Sequence, residues 1–98
     1  MKNNGAWGER KGYAALKDIL WCEKCGITQA LSHHHLVFRG EVPRHPQLHN
    51  PRNLIKLCVP CHSWYHQKKD RRIPLIQERK LWELFPHLEQ YAEIHNQS

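Results

Sequence analysis

Four cysteines in two tight pairs, Cys22-x2-Cys25 and Cys58-x2-Cys61, constrain this chain more than any other feature. Two thiolates separated by two residues can curl around one ion, and two such pairs complete a tetrahedron at ~2.3 Å per Zn–S bond. The competing use of an even cysteine count is a pair of disulfides. Three features favour the metal. Both pairs share the x2 spacing, the segment between them is long, and no apolar secretory stretch follows Met1-Lys2-Asn3-Asn4-Gly5. Reduced thiols belong to a reducing compartment, so a cytoplasmic location is expected. Four thiolates leave no vacant position on the ion. Cys22, Cys25, Cys58 and Cys61 are therefore predicted to form a structural zinc site that staples two distant segments and takes no part in catalysis.

A chain of 98 residues, 40% of them apolar, has room for one domain with a small core, which a structural metal would supplement. The expected fold class is α+β, one domain over 1–98, with a motif core at about 20–68 and helical extensions at 1–20 and 74–95. Fifteen Lys and Arg against nine Asp and Glu give a net charge of +6 and a pI near 9.4. That balance suits a polyanionic partner. Nowhere does the chain approach the ~20 apolar residues of a membrane span, so no membrane partner is expected.

Along the chain, Tyr13, Leu16, Ile19 and Leu20 repeat at helical spacing, and an N-terminal helix packed on the core accounts for Trp7, Arg10 and Lys11 better than nucleic-acid contact does. Gly26 supplies the turn of the first cysteine knuckle. Leu31 to Phe38 reads as a strand, 39–51 as a loop rich in Gly and Pro, and Leu54 to Cys58 as a second strand. Pro60 opens a helix running to about Asp70. Beyond Pro74, Leu81, Leu84, Phe85 and Leu88 form an apolar stripe that Pro86 kinks or divides, suited to packing, dimerisation or docking. Lys68, Lys69, Arg71 and Arg72 read equally as a solvated helix end or as phosphate contacts.

His62 and His66, four apart on the predicted helix, share a face and can bind one ion. Nine histidines in the chain make a single such pair weak evidence. With His34 they become three ligands that leave positions open, the geometry of a catalytic metal. His45 and His49 read as solvated loop residues, Trp64 and Tyr65 as core packing, and His87 and His95 carry no role.

The string Ser32-His33-His34-His35-Leu36-Val37-Phe38-Arg39, followed by Asn53-Leu54-Ile55-Lys56-Leu57-Cys58-Val59-Pro60-Cys61-His62, resembles the HNH endonuclease family, in particular its small four-cysteine members of phages and bacteria. The resemblance covers about residues 20–68 and implies the ββα-metal fold: two antiparallel strands, then a helix, around one divalent cation. In that family a metal ligand directly precedes the general-base histidine. His34 is then the ligand and His35 the base, while the triple histidine also permits His33 and His34 in those roles. Asn53 matches the family's middle Asn, which holds the base or its loop. His62 and His66 match the final ligand pair.

The resemblance further implies hydrolysis of DNA to 5′-phosphate and 3′-hydroxyl products, in a bacterial or phage-infected cell. Partners would be DNA and either a second copy or a larger phage or host assembly. Imidazole ligands suit Zn2+ or Ni2+, while phosphodiester hydrolysis commonly uses Mg2+ or Mn2+. Arg39 reads as a grip on the scissile phosphate or as an exposed loop arginine. Two other readings stand beside this one: a zinc-stabilised module that binds nucleic acid or protein without catalysis, and a nuclease acting on RNA.

Overall fold

Leu54-Ile55-Lys56-Leu57 is nearly all apolar, as a short strand covered on both faces should be, and it forms the more buried strand of a two-stranded sheet. The computed structural model describes residues 6–96, with side chains as far as Ala92. Met1–Gly5, Gln97, Ser98 and the side chain of His95 lie outside that description. Strand β1 (Ser32–His35) pairs antiparallel with β2 (Leu54–Leu57), setting His33 opposite Lys56, His34 opposite Ile55 and His35 opposite Leu54. Side chains alternate across a strand. His33 and His35 accordingly turn toward helix α1 (Glu9–Ala14), where His33 stacks on Tyr13 at 4.3 Å between ring centroids. His34 turns to the other face, toward helix α2 (Val59–Gln67).

β1 is half the predicted length. At Leu36 the pairing passes from the strand to Asn53: the Leu36 N–H donates to the Asn53 carbonyl at 2.8 Å. At Val37 the Asn53 side chain takes over the role of a partner strand. Its Oδ1 accepts from Val37 N–H at 2.7 Å, and its Nδ2 donates to the carbonyls of Val37 and Leu48 at 3.1 and 3.0 Å. Asn53 itself is wholly buried, with one acceptor and two donors satisfied. The neighbouring carbonyl of Leu36 is taken by Arg72. Main-chain groups are thus paired without a ladder, and the chain is free to leave the sheet.

The predicted N-terminal helix starts earlier and is shorter, Glu9–Ala14, and turns replace it from Ala15 to Asp18. Leu16 is buried as expected, but Leu20 is left 65% exposed. Gly12 decides where α1 can lie, because a Cβ there would collide with the carbonyl oxygen of His49. α2 begins at Val59 with Pro60 in its first turn. It stops at Gln67, short of the predicted Asp70, because Lys68 adopts φ −142°, ψ 114° and Lys69–Arg72 winds on as a 3₁₀ turn.

Pro74 opens helix α3 (Ile73–Arg79), which ends on Lys80 in the left-handed region. The expected kink at Pro86 proves to be a break: two 3₁₀ turns, Leu81–Glu83 and Pro86–Leu88, lead into helix α4 (Glu89–Asn96). Ile76, Leu81, Phe85 and Leu88 are at most 3% exposed, packed in one core with Leu36, Val37, Ile55 and Leu57. The apolar stripe of the tail is therefore spent on packing within the chain. Two arginines clasp the tail to the hairpin. Arg52 donates to the carbonyls of Arg79 and Lys80, while Arg79 donates to those of Arg52 and Leu54. Among the described residues no helix is long and apolar enough to cross a membrane.

Candidate functional site

Gly26, at φ +88°, reverses the chain so that Gly26 N–H reaches the Cys22 carbonyl at 2.8 Å and Cys22 N–H reaches Ile27. That turn brings Cys22 and Cys25 against Cys58, which closes β2, and Cys61 in the first turn of α2. The four Sγ atoms all lie within 4.8 Å of one another. Cys25 and Cys58 stand 3.7 Å apart, too far for a disulfide. The edge of a regular tetrahedron with ~2.3 Å Zn–S bonds is ~3.8 Å. All four thiols are free, so the predicted disulfide alternative is not adopted and the cluster can hold a metal ion. Burial opposes ionisation at Cys22, but backbone N–H groups of Cys25, Cys58 and Lys24 outweigh it and bring the thiol down to about 6. Burial and the three neighbouring thiols push Cys61 up to about 12. Charge on one sulfur opposes charge on the next, a conflict that a divalent cation relieves.

The histidines gather around the next positions of α2, His62 and His66. His34 lies face to face with His62, ring centroids 3.5 Å apart, and His62 meets His66 edge-on at 4.3 Å. His66 in turn stacks on Phe38 at 4.7 Å. It is His34, not His33, that meets the helix pair. Among the described residues, the thiols are the one group of three or more potential ligands whose donor atoms all fall within 4.8 Å. The three imidazoles converge ring to ring, and a shared cation requires them to turn edge-on. Beside them a cleft of about 330 Å³ is lined by His33, His34, His35, Phe38, Arg39, Gly40 and His66. His33 and His35 border this cleft together with His34, so residues from both faces of β1 reach it. A larger groove of about 520 Å³ lies between the N-terminal turns and α3, but its Arg79 and Arg52 are already paired to Glu23 and Glu83.

Burial first, then the facing His62 and His66, lowers His34 to about 4. Burial first, then His49 and Arg39, lowers His35 to about 4 against the opposing pull of Glu9. His62 is lowered by burial and by His66. Neutral imidazoles are what a metal ligand or a general base requires at pH 7. In an unfolded chain these groups titrate near ~6.5, so between there and about pH 4 the fold binds fewer protons than the unfolded state. Stability should accordingly fall as pH is lowered from about 6.5 toward 4. Denaturant titrations across that window check this, and a flat response would show that His34 and His35 titrate freely in the fold.

Of the predicted phosphate contacts, Arg39 is exposed at the cleft edge, Lys68 is exposed, and Lys69 is largely exposed at 3.6 Å from Glu41. Arg72 is a correction. It is buried, bonded to the carbonyls of Leu36 and Lys69, and paired with Glu41 at 2.8 Å, because the chain leaving β1 needs a donor there. Arg71 is half-buried, lying 4.4 Å over the Trp64 ring and donating to the Trp64 carbonyl. Tyr65 packs against the core as expected. Trp64 does not: it is exposed and carries Lys24 as well as Arg71 on its ring.

Sequence reasoning missed His49. Far from being solvated, its Nδ1 lies 3.0 Å from Nε2 of His35. Spacing gave no sign of this, since the two are 14 residues apart across an irregular loop. The nearest signal was Gly12, whose missing side chain admits His49. No protein family, curated protein or solved structure matches the chain.

Proposed function

We propose that this chain is a metal-dependent endonuclease of the HNH type, with a ββα-metal core, that hydrolyses DNA phosphodiester bonds. The observation that carries the reading is the ring-to-ring meeting of His34, His62 and His66 beside a cleft that His34, His35 and His66 line, where β1 ends and buried Asn53 locks the backbone that follows. His35, held neutral, takes a proton from the attacking water. Arg39 at the cleft rim grips a phosphate, and Lys68 and Lys69 extend the positive surface beyond α2. Asn53 keeps the backbone after His35 in place. A divalent cation held by His34, His62 and His66 would stabilise the charge that develops on the phosphate and on the leaving 3′ oxygen. The cluster of Cys22, Cys25, Cys58 and Cys61 fixes the start of α2 as a structural zinc site and stays outside the chemistry.

The test is nicking of supercoiled plasmid with added Mg2+, Mn2+, Ni2+ or Zn2+, alongside metal binding by the protein. His62→Ala and His66→Ala should each weaken binding at the open site by more than ~100-fold, since even changes to partners of metal ligands cost ~10–100-fold. Wild-type affinity in either variant removes that residue from the ligand set. A second reading, a binding module without catalysis, is favoured by one fact: among the described residues, only the thiols form a group of three or more potential ligands whose donor atoms all stand within 4.8 Å of one another. It predicts one tightly bound metal per chain and no cleavage with any cation.

A further inference from the structure

His35 and His49 form a contact that the nuclease reading does not use. Nε2 of His35 lies 3.0 Å from Nδ1 of His49, within hydrogen-bond range and half-buried. His49 is itself fixed from behind. The backbone of α1 passes so close at Gly12 that no side chain fits between that residue and the His49 carbonyl. Tyr13 of the same helix meets the His49 ring edge-on at 6.2 Å and the His35 ring at 6.5 Å. His49 therefore has little freedom to withdraw from His35.

A neutral imidazole carries one N–H, and the partner of one nitrogen decides what the other can do. If His35 donates from Nε2, its Nδ1 lone pair is free to accept a proton. If His49 donates instead, the proton of neutral His35 sits on Nδ1 and the ring is useless as a base at that atom. Resting on the nuclease reading, we infer that His49 is a positioning residue for the base: it accepts from Nε2–H of His35, fixes that ring's tautomer and orientation, and leaves Nδ1 to act on water. α1 then has a function beyond packing, as the buttress that holds His49 in place.

Two measurements test this. Long-range ¹⁵N–¹H correlation spectra at neutral pH report the tautomer of His35 directly, without any assay of cleavage. The expected result is Nε2–H in the wild type and a mixture in His49→Ala. An Nδ1–H tautomer in the wild type overturns the inference. In cleavage assays, His49→Ala should lower kcat by up to about 100-fold with KM and melting temperature unchanged, as a misplaced group does. His49→Asn, whose Oδ1 can accept in place of Nδ1, should recover most of the loss. Wild-type kcat in His49→Ala, or an Asn variant no better than Ala, overturns the positioning role while leaving the nuclease intact. A wild-type chain with the expected tautomer that cleaves nothing sinks the nuclease reading, and the catalytic meaning of the pair with it.

Discussion

Replacing His35 by alanine is expected to lower metal-dependent plasmid nicking by about 10²–10⁴-fold, the range that a positioned general base contributes. Folding and zinc content should be unchanged. His35 is only half-buried, its one side-chain hydrogen bond among the described residues is to His49, and it lies outside the apolar core. The informative comparison is His34→Ala under the same conditions. That variant should lose both cleavage and affinity for the second metal, whereas His35→Ala should keep the affinity. Activity retained in His35→Ala but absent in His34→Ala would shift the base one residue along the strand. That shift is hard to reconcile with His34 lying flat on His62 while His33 faces Tyr13.

The second large effect is expected at Cys58. Cys58→Ala should cost most of the folding free energy, on the order of 5–15 kcal/mol for a domain of this kind, and prolonged treatment with a strong chelator should do the same to the wild type. The backbone of Cys58 serves the helix as well, since its carbonyl accepts from His62 N–H at 2.9 Å, and alanine preserves that bond. What alanine removes is one of four sulfurs from a cluster that joins the knuckle before β1 to the start of α2. The apolar core includes Cys22, Cys58 and Cys61, so losing a metal held there would loosen that part of the core together with the knuckle. Circular dichroism melts with parallel zinc determination separate the cases. A Cys58→Ala protein that melts cooperatively at the wild-type temperature would show the cluster to be dispensable.

What the sequence made legible was whatever depended on short spacing. The x2 cysteine pairs, the turn at Gly26, the apolar run Leu54–Leu57 and the proline that starts α2 all follow from a few adjacent residues. The antiparallel pairing of the strands was what the resemblance implied, and His34 joined the helix pair as a potential third ligand. What stayed hidden depended on long-range pairing. Arg72 looked like part of a basic surface, because no local pattern shows that the chain leaving β1 wants a buried donor. Trp64 looked like core, although α2 turns it outward under two cations. His49 sits in a loop without periodicity, and only its fit against Gly12 brings it to His35. The predicted strand to Phe38 overran for the same reason: a side chain, that of Asn53, stands where a strand would otherwise continue.

Helix α2 is nine residues long, about 13 Å from end to end, and too short to be stable alone in water. Yet it carries members of both clusters, with Cys61 and His62 adjacent and ~100° apart around its axis. Its direction is set at the first turn, where sulfur holds it, and is read out one turn later at His66. A small angular error at the pivot therefore becomes a displacement at the tip. The alignment of the imidazoles is thus tied to a sulfur cluster that lies outside their cleft. Sharpening the imidazoles could not restore an alignment lost at the sulfurs.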